Sequence, residues 1–207
     1  MVGNVYQNLV ALGCDVTLKT GSHSKKTRFI DSRSKQQLLR IDEDVQSSPL
    51  QKDFVSNIND YDAVVISDYD KGVVTYDLID WIRQEFKGPI FMDTKKKDIA
   101  CFYGIFVKIN ENEYKDRWSI NDSLIVTLGD RGAMYKTGRD PKHETVYPCP
   151  KVEVVDITGA GDTFLSAFTF EFLRSHNHSM AIDFANRASS ITVQHFGCYA
   201  PTIEEIK

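Results

Sequence analysis

The chain has 207 residues, enough for one α/β domain with a core of its own. It is 42% hydrophobic and 26% charged with a net charge of −4, which fits a globular protein and excludes a basic nucleic-acid footprint. Its apolar runs are too short to cross a bilayer and no signal peptide opens it, so the expected location is the cytoplasm, away from membranes.

Apolar residues at Val5, Leu9 and Leu12 predict a helix from Asn4, closed by Gly13. Asp15 to Lys19 reads as a strand. Thr27–Ile30 and Gln37–Ile41 flank a polar turn at Ser32 to Lys35 and predict a hairpin spanning residues 26–42. Pro49 to Ile58 reads as helix. Strands follow at Ala63–Ile66, Pro89–Met92, Ile105–Ile109 and Ser123–Leu128, with a helix at Tyr76–Phe86. Met134–Tyr135, Thr145–Tyr147 and Lys151–Val155 read as further strands, with Gly138–Glu144 as a polar loop. Two helices close the sequence, Ala160–Arg174 and Met180–His195. Apolar strands separated by helices predict an α/β fold: a doubly wound, mostly parallel sheet flanked by helices, in a single domain over 1–207.

The stretch with the most chemical content is Asp156-Ile157-Thr158-Gly159-Ala160-Gly161-Asp162-Thr163-Phe164. A β-branched run (Val152, Val154, Val155) enters it and a helical pattern leaves it. The glycines therefore stand where a helix begins, with unpaired N–H groups and the positive end of the helix dipole. That is a backbone anion site. Asp162 stands on the first turn, and a carboxylate beside an anion hole is what phosphoryl transfer to an alcohol requires. On residue type alone, a glycine hinge with an acidic first turn remains the plainer reading.

In a doubly wound sheet, ligands bind beyond the carboxyl ends of the strands. Ser67-Asp68-Tyr69-Asp70-Lys71-Gly72, Asp93-Thr94-Lys95, Asn110-Glu111-Asn112-Glu113 and Thr127-Leu128-Gly129-Asp130-Arg131-Gly132 each follow a predicted strand, on the same edge as the Gly159–Gly161 turn. The sequence has neither a G-x-x-x-x-G-K-[ST] loop nor the protein-kinase motif set. The cysteines (Cys14, Cys101, Cys149, Cys198) lack C-x-x-C or metal spacing and read as reduced. The five histidines form no metal or triad pattern.

The string Asp156–Phe164 resembles the signature of the ribokinase-like (phosphofructokinase-B) carbohydrate kinases. The resemblance implies ATP and Mg²⁺, with Asp162 as base and the amides of Gly159, Ala160 and Gly161 around the transferred group. Val126-Thr127-Leu128-Gly129-Asp130-Arg131-Gly132 looks like the family's nucleotide turn, which carries Thr127, Gly129 and Gly132 over as nucleotide contacts. Asn110-x-x-Glu113 looks like its N-x-x-E motif, with Glu113 acting indirectly on Mg²⁺. Lys108 and Asn186 stand where relatives place a phosphate lysine and a nucleotide-pocket asparagine. Asp156 and Thr158 match a monovalent-cation site of some relatives. Read on its own, N-x-x-E is ordinary helix-start chemistry.

Three pieces resemble the branch that phosphorylates D-glycero-D-manno-heptose 7-phosphate: Ser67-Asp68-Tyr69-x-Lys71-Gly72, Asp93-x-Lys95-x-x-Asp98, and the hairpin from Thr27-Arg28 to Arg40-Ile41-Asp42. In that branch the hairpin is a lid that also builds a homodimer. The candidate acceptor contacts are Asn4, Arg28, Arg40, Asp68, Lys71 and Lys95. For Arg28 and Arg40 the alternative is edge protection by charge. Against the family pattern, the first strand and the glycine pair before Asn4 are not in this sequence, and Gly21–Ser24 is a short bridge where relatives carry more. These departures fall on the sugar side. They leave open a kinase of another small sugar or nucleoside, and a nucleotide-binding protein with impaired catalysis.

Overall fold

The computed structural model describes residues 2–21, 25–33, 37–43, 45–55, 57–116, 119–138 and 143–207. Helix α1 is Val2–Ala11, and Val5 and Leu9 on one face of it are buried. Strands β1 (Lys25–Ile30) and β2 (Gln37–Glu43) form a separate antiparallel hairpin in which Arg28 faces Arg40 and Phe29 faces Leu39. The turn of this hairpin, part of the Gly21–Ser24 bridge and most of the Gly138–Glu144 loop lie outside the described residues.

The main sheet has six strands in sequence order: β3 (Val64–Asp68), β4 (Ile90–Thr94), β5 (Ile105–Asn110), β6 (Ser123–Thr127), β7 (Ala133–Thr137) and β8 (Glu144–Tyr147). The first four are mutually parallel, and β7 and β8 turn back antiparallel. Helices α2 (Tyr76–Glu85), α3 (Glu111–Lys115), α4 (Ala160–Ser175), α5 (His178–Thr192) and α6 (Ile203–Ile206) complete the fold. Thr75 caps α2 by accepting the Leu78 amide at 3.1 Å, and Asn177 caps α5 through Ser179 and Met180.

Both sheet faces are covered, as a parallel sheet demands. On one face Phe91 and Ile125 of the sheet pack with Val5 and Leu9 of α1, Phe164 and Phe168 of α4 and Ala185 of α5. On the other, Ile66, Met92, Val107 and Leu124 pack with Ile79 and Ile82 of α2. Phe91 stacks on Phe106 at 5.4 Å, and Phe168 meets both edge-on. Burying each such ring contributes about 1.5–3 kcal/mol. This packing holds α4 rigidly against the sheet, which fixes where its first turn lies.

Strand β3 is the sheet's open edge. The Val64 amide bonds to Pro89 and the Asp68 carbonyl accepts from Lys95, so the main-chain groups of Val65 and Ser67 face away from β4. They border a cavity of about 890 Å³ between β3, α1 and residues 13–20.

Three expected elements are corrected. Asp15–Lys19 is not a strand: the segment runs past β3 on the far side of this cavity, without ladder bonds, held by a Tyr61 hydroxyl contact to Thr17 at 3.1 Å. Pro49–Ile58 is not an α-helix but short 3₁₀ turns (Lys52–Val55 and Ile58–Asp60), entered through a bond of the Leu50 amide to Val73 O. Lys151–Val155 is extended but unpaired: the amides of Val155 and Asp156 bond to Val193 at the end of α5, and Val154 and Val155 are exposed.

Candidate active site

The first turn of α4 begins at Gly159, whose φ of +86° is the left-handed conformation and which makes no side-chain cap. A Cβ there would stand 2.8 Å from the Asn4 amide nitrogen, and one at Gly161 would stand 2.7 Å from the Lys108 ammonium. Only glycine lets those two groups close over the turn. The Ala160 amide bonds to Ile157 O at 3.3 Å, whereas the Gly161 amide has no hydrogen-bond partner among the described residues. Asp162 follows on the same turn and is buried. Its Oδ2 accepts the Asn4 side-chain amide at 3.0 Å, and Asn4 also reaches Gly159 O at 3.5 Å. Asn8 fixes Asn4 in turn, donating to its carbonyl at 2.8 Å. The Asn4 side chain, an expected acceptor contact, thus stands against the Asp162 carboxylate.

Lys108, on β5, is buried and pairs with Asp93 on β4 at 2.9 Å. Burial works against its charge, but the Asp93 carboxylate, with Asp162 and Glu113 behind it, outweighs that and raises its pKa. A charged ammonium is thus held over Gly161. The other Asp93 oxygen, Oδ1, is buried without a hydrogen-bond partner among the described residues.

Asn110 and Glu113 form a capping box at the start of α3: the Asn110 side chain accepts the Glu113 amide at 2.9 Å, and the Glu113 carboxylate accepts the Asn110 amide at 3.0 Å. Helix-start chemistry is therefore present, and it aims the second Glu113 oxygen at Lys95, with which it pairs. Thr127 bonds to Ile109 O at 3.3 Å, and the Gly129–Gly132 turn closes through Gly132 N to Gly129 O at 3.1 Å. Asn186, buried on α5, donates to Tyr147 O at 3.0 Å and Pro148 O at 3.3 Å. Its amide shapes the wall of that side through the backbone.

The expected acceptor side divides. Asp68 accepts from Thr94 at 2.8 Å and Asp70 N at 2.9 Å and lies 3.3 Å from the buried Lys96, so it anchors its own loop. The Lys71 carbonyl accepts Ser47 N at 3.0 Å in the same knot. Arg40 grips Asp42 with two bonds of 2.7 and 2.5 Å. Arg28 lies in the field of Asp156. Burial opposes ionisation of Asp156, but hydrogen bonds from Thr158 and Gly197, and then Arg28, win and lower its pKa.

Sequence reasoning missed three residues. Asp93 was read only within a motif, and its pairing with Lys108 follows from strand register. Lys26 is not singled out by the sequence, yet its ammonium lies 5.5 Å from the Tyr69 ring. Lys95 lies 5.6 Å from the same ring, and Tyr69 itself was not singled out. A lysine on the inward parity of a predicted hairpin was the only available signal. Among the described residues no group of three or more His, Cys, Asp or Glu could hold a metal ion by itself.

The mostly parallel sheet with the glycine turn at the head of α4 has a ribokinase-like fold. Residues 106–205 match the pfkB family carbohydrate kinase model. The chain is 33% identical over 214 residues to the bifunctional protein HldE of a Nitratiruptor species, a match covering 89% of this chain and 44% of that protein. The chain thus spans under half the length of that relative. Among solved structures it resembles Escherichia coli phosphofructokinase-2 in complex with potassium (TM-score 0.73, 16% identity, 98% of this chain and 84% of that one). It also resembles Arabidopsis thaliana ribokinase complexed with ribose and ATP (TM-score 0.70, 17% identity, 90% and 68%).

Proposed function

We propose that the chain is an ATP-dependent sugar kinase that transfers the γ-phosphoryl group to a hydroxyl of a sugar phosphate, with D-glycero-D-manno-heptose 7-phosphate as acceptor. The observation that carries this reading is the buried Asp162 carboxylate on the glycine turn, beside the unengaged Gly161 amide and the Lys108 ammonium. Asp162 takes the proton of the acceptor hydroxyl as its oxygen attacks the γ-phosphorus, and the bond to the ADP oxygen breaks. Lys108 and the Gly161 amide stabilise charge on the group in flight. Asn4 holds Asp162 in line.

ATP lies along Thr127–Gly132, on the wall that Asn186 braces. Asp93, through its buried Oδ1, and Glu113, indirectly, are the residues that would hold an Mg²⁺ ion brought in with the nucleotide. When bound, that ion offsets phosphate charge. The Asp156–Thr158–Gly197 loop is the candidate for a monovalent cation.

On the acceptor side, Lys26, Arg28 and Lys95 supply the cations that an already phosphorylated sugar calls for, with Lys71 at the rim. The heptose assignment is supported by the likeness to the HldE protein and by the lid sequence. Phe29, Leu38, Leu39 and Ile41 are exposed on the hairpin, which favours a homodimer formed through it. No helix among the described residues is long and apolar enough to cross a membrane. All four cysteines are free, which supports a reducing compartment such as the cytoplasm.

The test is ATP consumption with Mg²⁺ over a panel of sugars and sugar phosphates, heptose 7-phosphate included, with Asp162→Asn as the blank. Turnover on heptose 7-phosphate that the variant abolishes is the expected result. ATP binding without turnover on any sugar would transfer the reading to a nucleotide-binding protein.

A further inference from the structure

Tyr69 follows β3 at the carboxyl edge of the sheet, partly buried. Two cations address its ring: Lys26 from the hairpin at 5.5 Å and Lys95 from the end of β4 at 5.6 Å. Lys95 is also the partner of Glu113, whose carboxylate closes the α3 cap with Asn110. One aromatic ring therefore stands between the lid and the phosphate-side pair. Its phenol has no hydrogen-bond partner among the described residues, and its charged neighbours are Asp162, Asp93 and Glu113. Burial first, then those carboxylates, push its pKa up, so it remains a neutral hydrogen-bond donor.

The hairpin needs such an attachment. A two-stranded ribbon is marginal by itself. Its outer residues Phe29, Leu39 and Ile41 are exposed, so they do not fasten it to the body of the protein. On the opposite parity stand Arg28 and Lys26, the latter addressing the Tyr69 ring.

We propose that Tyr69 is a positioning residue that ties the hairpin to the reacting centre, its ring holding Lys26 on one side and Lys95, with Glu113, on the other. This rests on the sugar-kinase reading, in which the hairpin closes over the acceptor. Loss of the ring then frees the lid and weakens acceptor binding, leaving the nucleotide wall at Thr127–Gly132 and Asn186 unaltered.

Wild type is compared with Tyr69→Phe, Tyr69→Leu and Lys26→Met. One arm reads amide hydrogen exchange over residues 25–30 and 37–43. The other reads steady-state constants for heptose 7-phosphate and ATP. Tyr69→Leu should speed hairpin exchange and raise the acceptor KM, each by about tenfold, with the ATP KM within about twofold. Tyr69→Phe keeps the ring and should restore hairpin protection. Lys26→Met, which leaves the core untouched, should reproduce the exchange result. Hairpin exchange at wild-type rates in both Tyr69→Leu and Lys26→Met would overturn the proposal, and so would equal damage from Phe and Leu in the exchange arm. A wild type that phosphorylates no sugar fails the kinase reading instead, and the exchange arm then decides the part of Tyr69 by itself.

Discussion

The two sides of the site are built differently. Behind Asp162 and Lys108 lies a dry core: Phe164, Leu165 and Phe168 on α4 and Ala181, Ile182 and Ala185 on α5 are almost fully buried, against Phe91 and Ile125 of the sheet. The hairpin across from them leaves Leu38 at 68% and Leu39 at 53% exposure and meets the site through side-chain charge and one ring. On the proposed reading, the phosphoryl-transfer side is preorganised by packing, and the acceptor side is left for substrate and hairpin to complete. A carboxylate and an ammonium must be placed accurately to act on a transferring phosphoryl group, whereas a lid must move.

The comparison breaks most sharply at Asp162. Asp162→Asn should lower turnover by about 10²–10⁴-fold with ATP affinity unchanged, measured by coupled ATP consumption and calorimetry. Comparable loss of both would remove its role as base. Phe168→Ala should cost about 3–5 kcal/mol in urea unfolding, because Phe91, Phe106 and Phe172 all lose a partner. A cost near zero would mean the phosphoryl-transfer side is not held by its core. Lys108→Met should reduce the rate by about 10²–10³-fold. It also leaves Asp93 buried and uncompensated, so the melting temperature should fall as well.

A smaller effect concerns the knot under the acceptor side. Burial disfavours the Lys96 ammonium, yet Asp70 and Asp68 win and its pKa is raised. A raised lysine contributes stability that is complete below its unfolded value, near about 10.4, and is lost as pH rises through the higher folded value. Unfolding midpoints should therefore drop on the alkaline side of that value, and by less in Asp70→Asn. The smallest change is expected from Leu39→Ser. It should leave protomer stability within about 0.5 kcal/mol while weakening self-association in sedimentation, because Leu39 is exposed on the hairpin.

Much of this was legible in the sequence because periodicity and spacing are local. The strands from Val64 to Thr127 and both long helices read correctly, since each carries its own apolar pattern. The glycine turn at the head of α4 was legible too, because a helix N-terminus needs no distant partner to form it. The failures share one cause. Asp15–Lys19 and Lys151–Val155 alternate like strands, but alternation does not supply a neighbour to pair with, and in the folded chain none lies alongside.

The sequence by itself determined the fold class, the order of the strands' polar ends and the carboxylate at the head of α4. Only the tertiary structure decided how those groups combine. It turned Asn4 toward Asp162, set Asp93 against Lys108, tied Asp68 to Thr94, and brought Lys26 to Tyr69. Propensity and motif act within a few residues, whereas these partners lie on different strands or helices or compete within one loop. Strand register and helix packing, which no local pattern contains, choose among them.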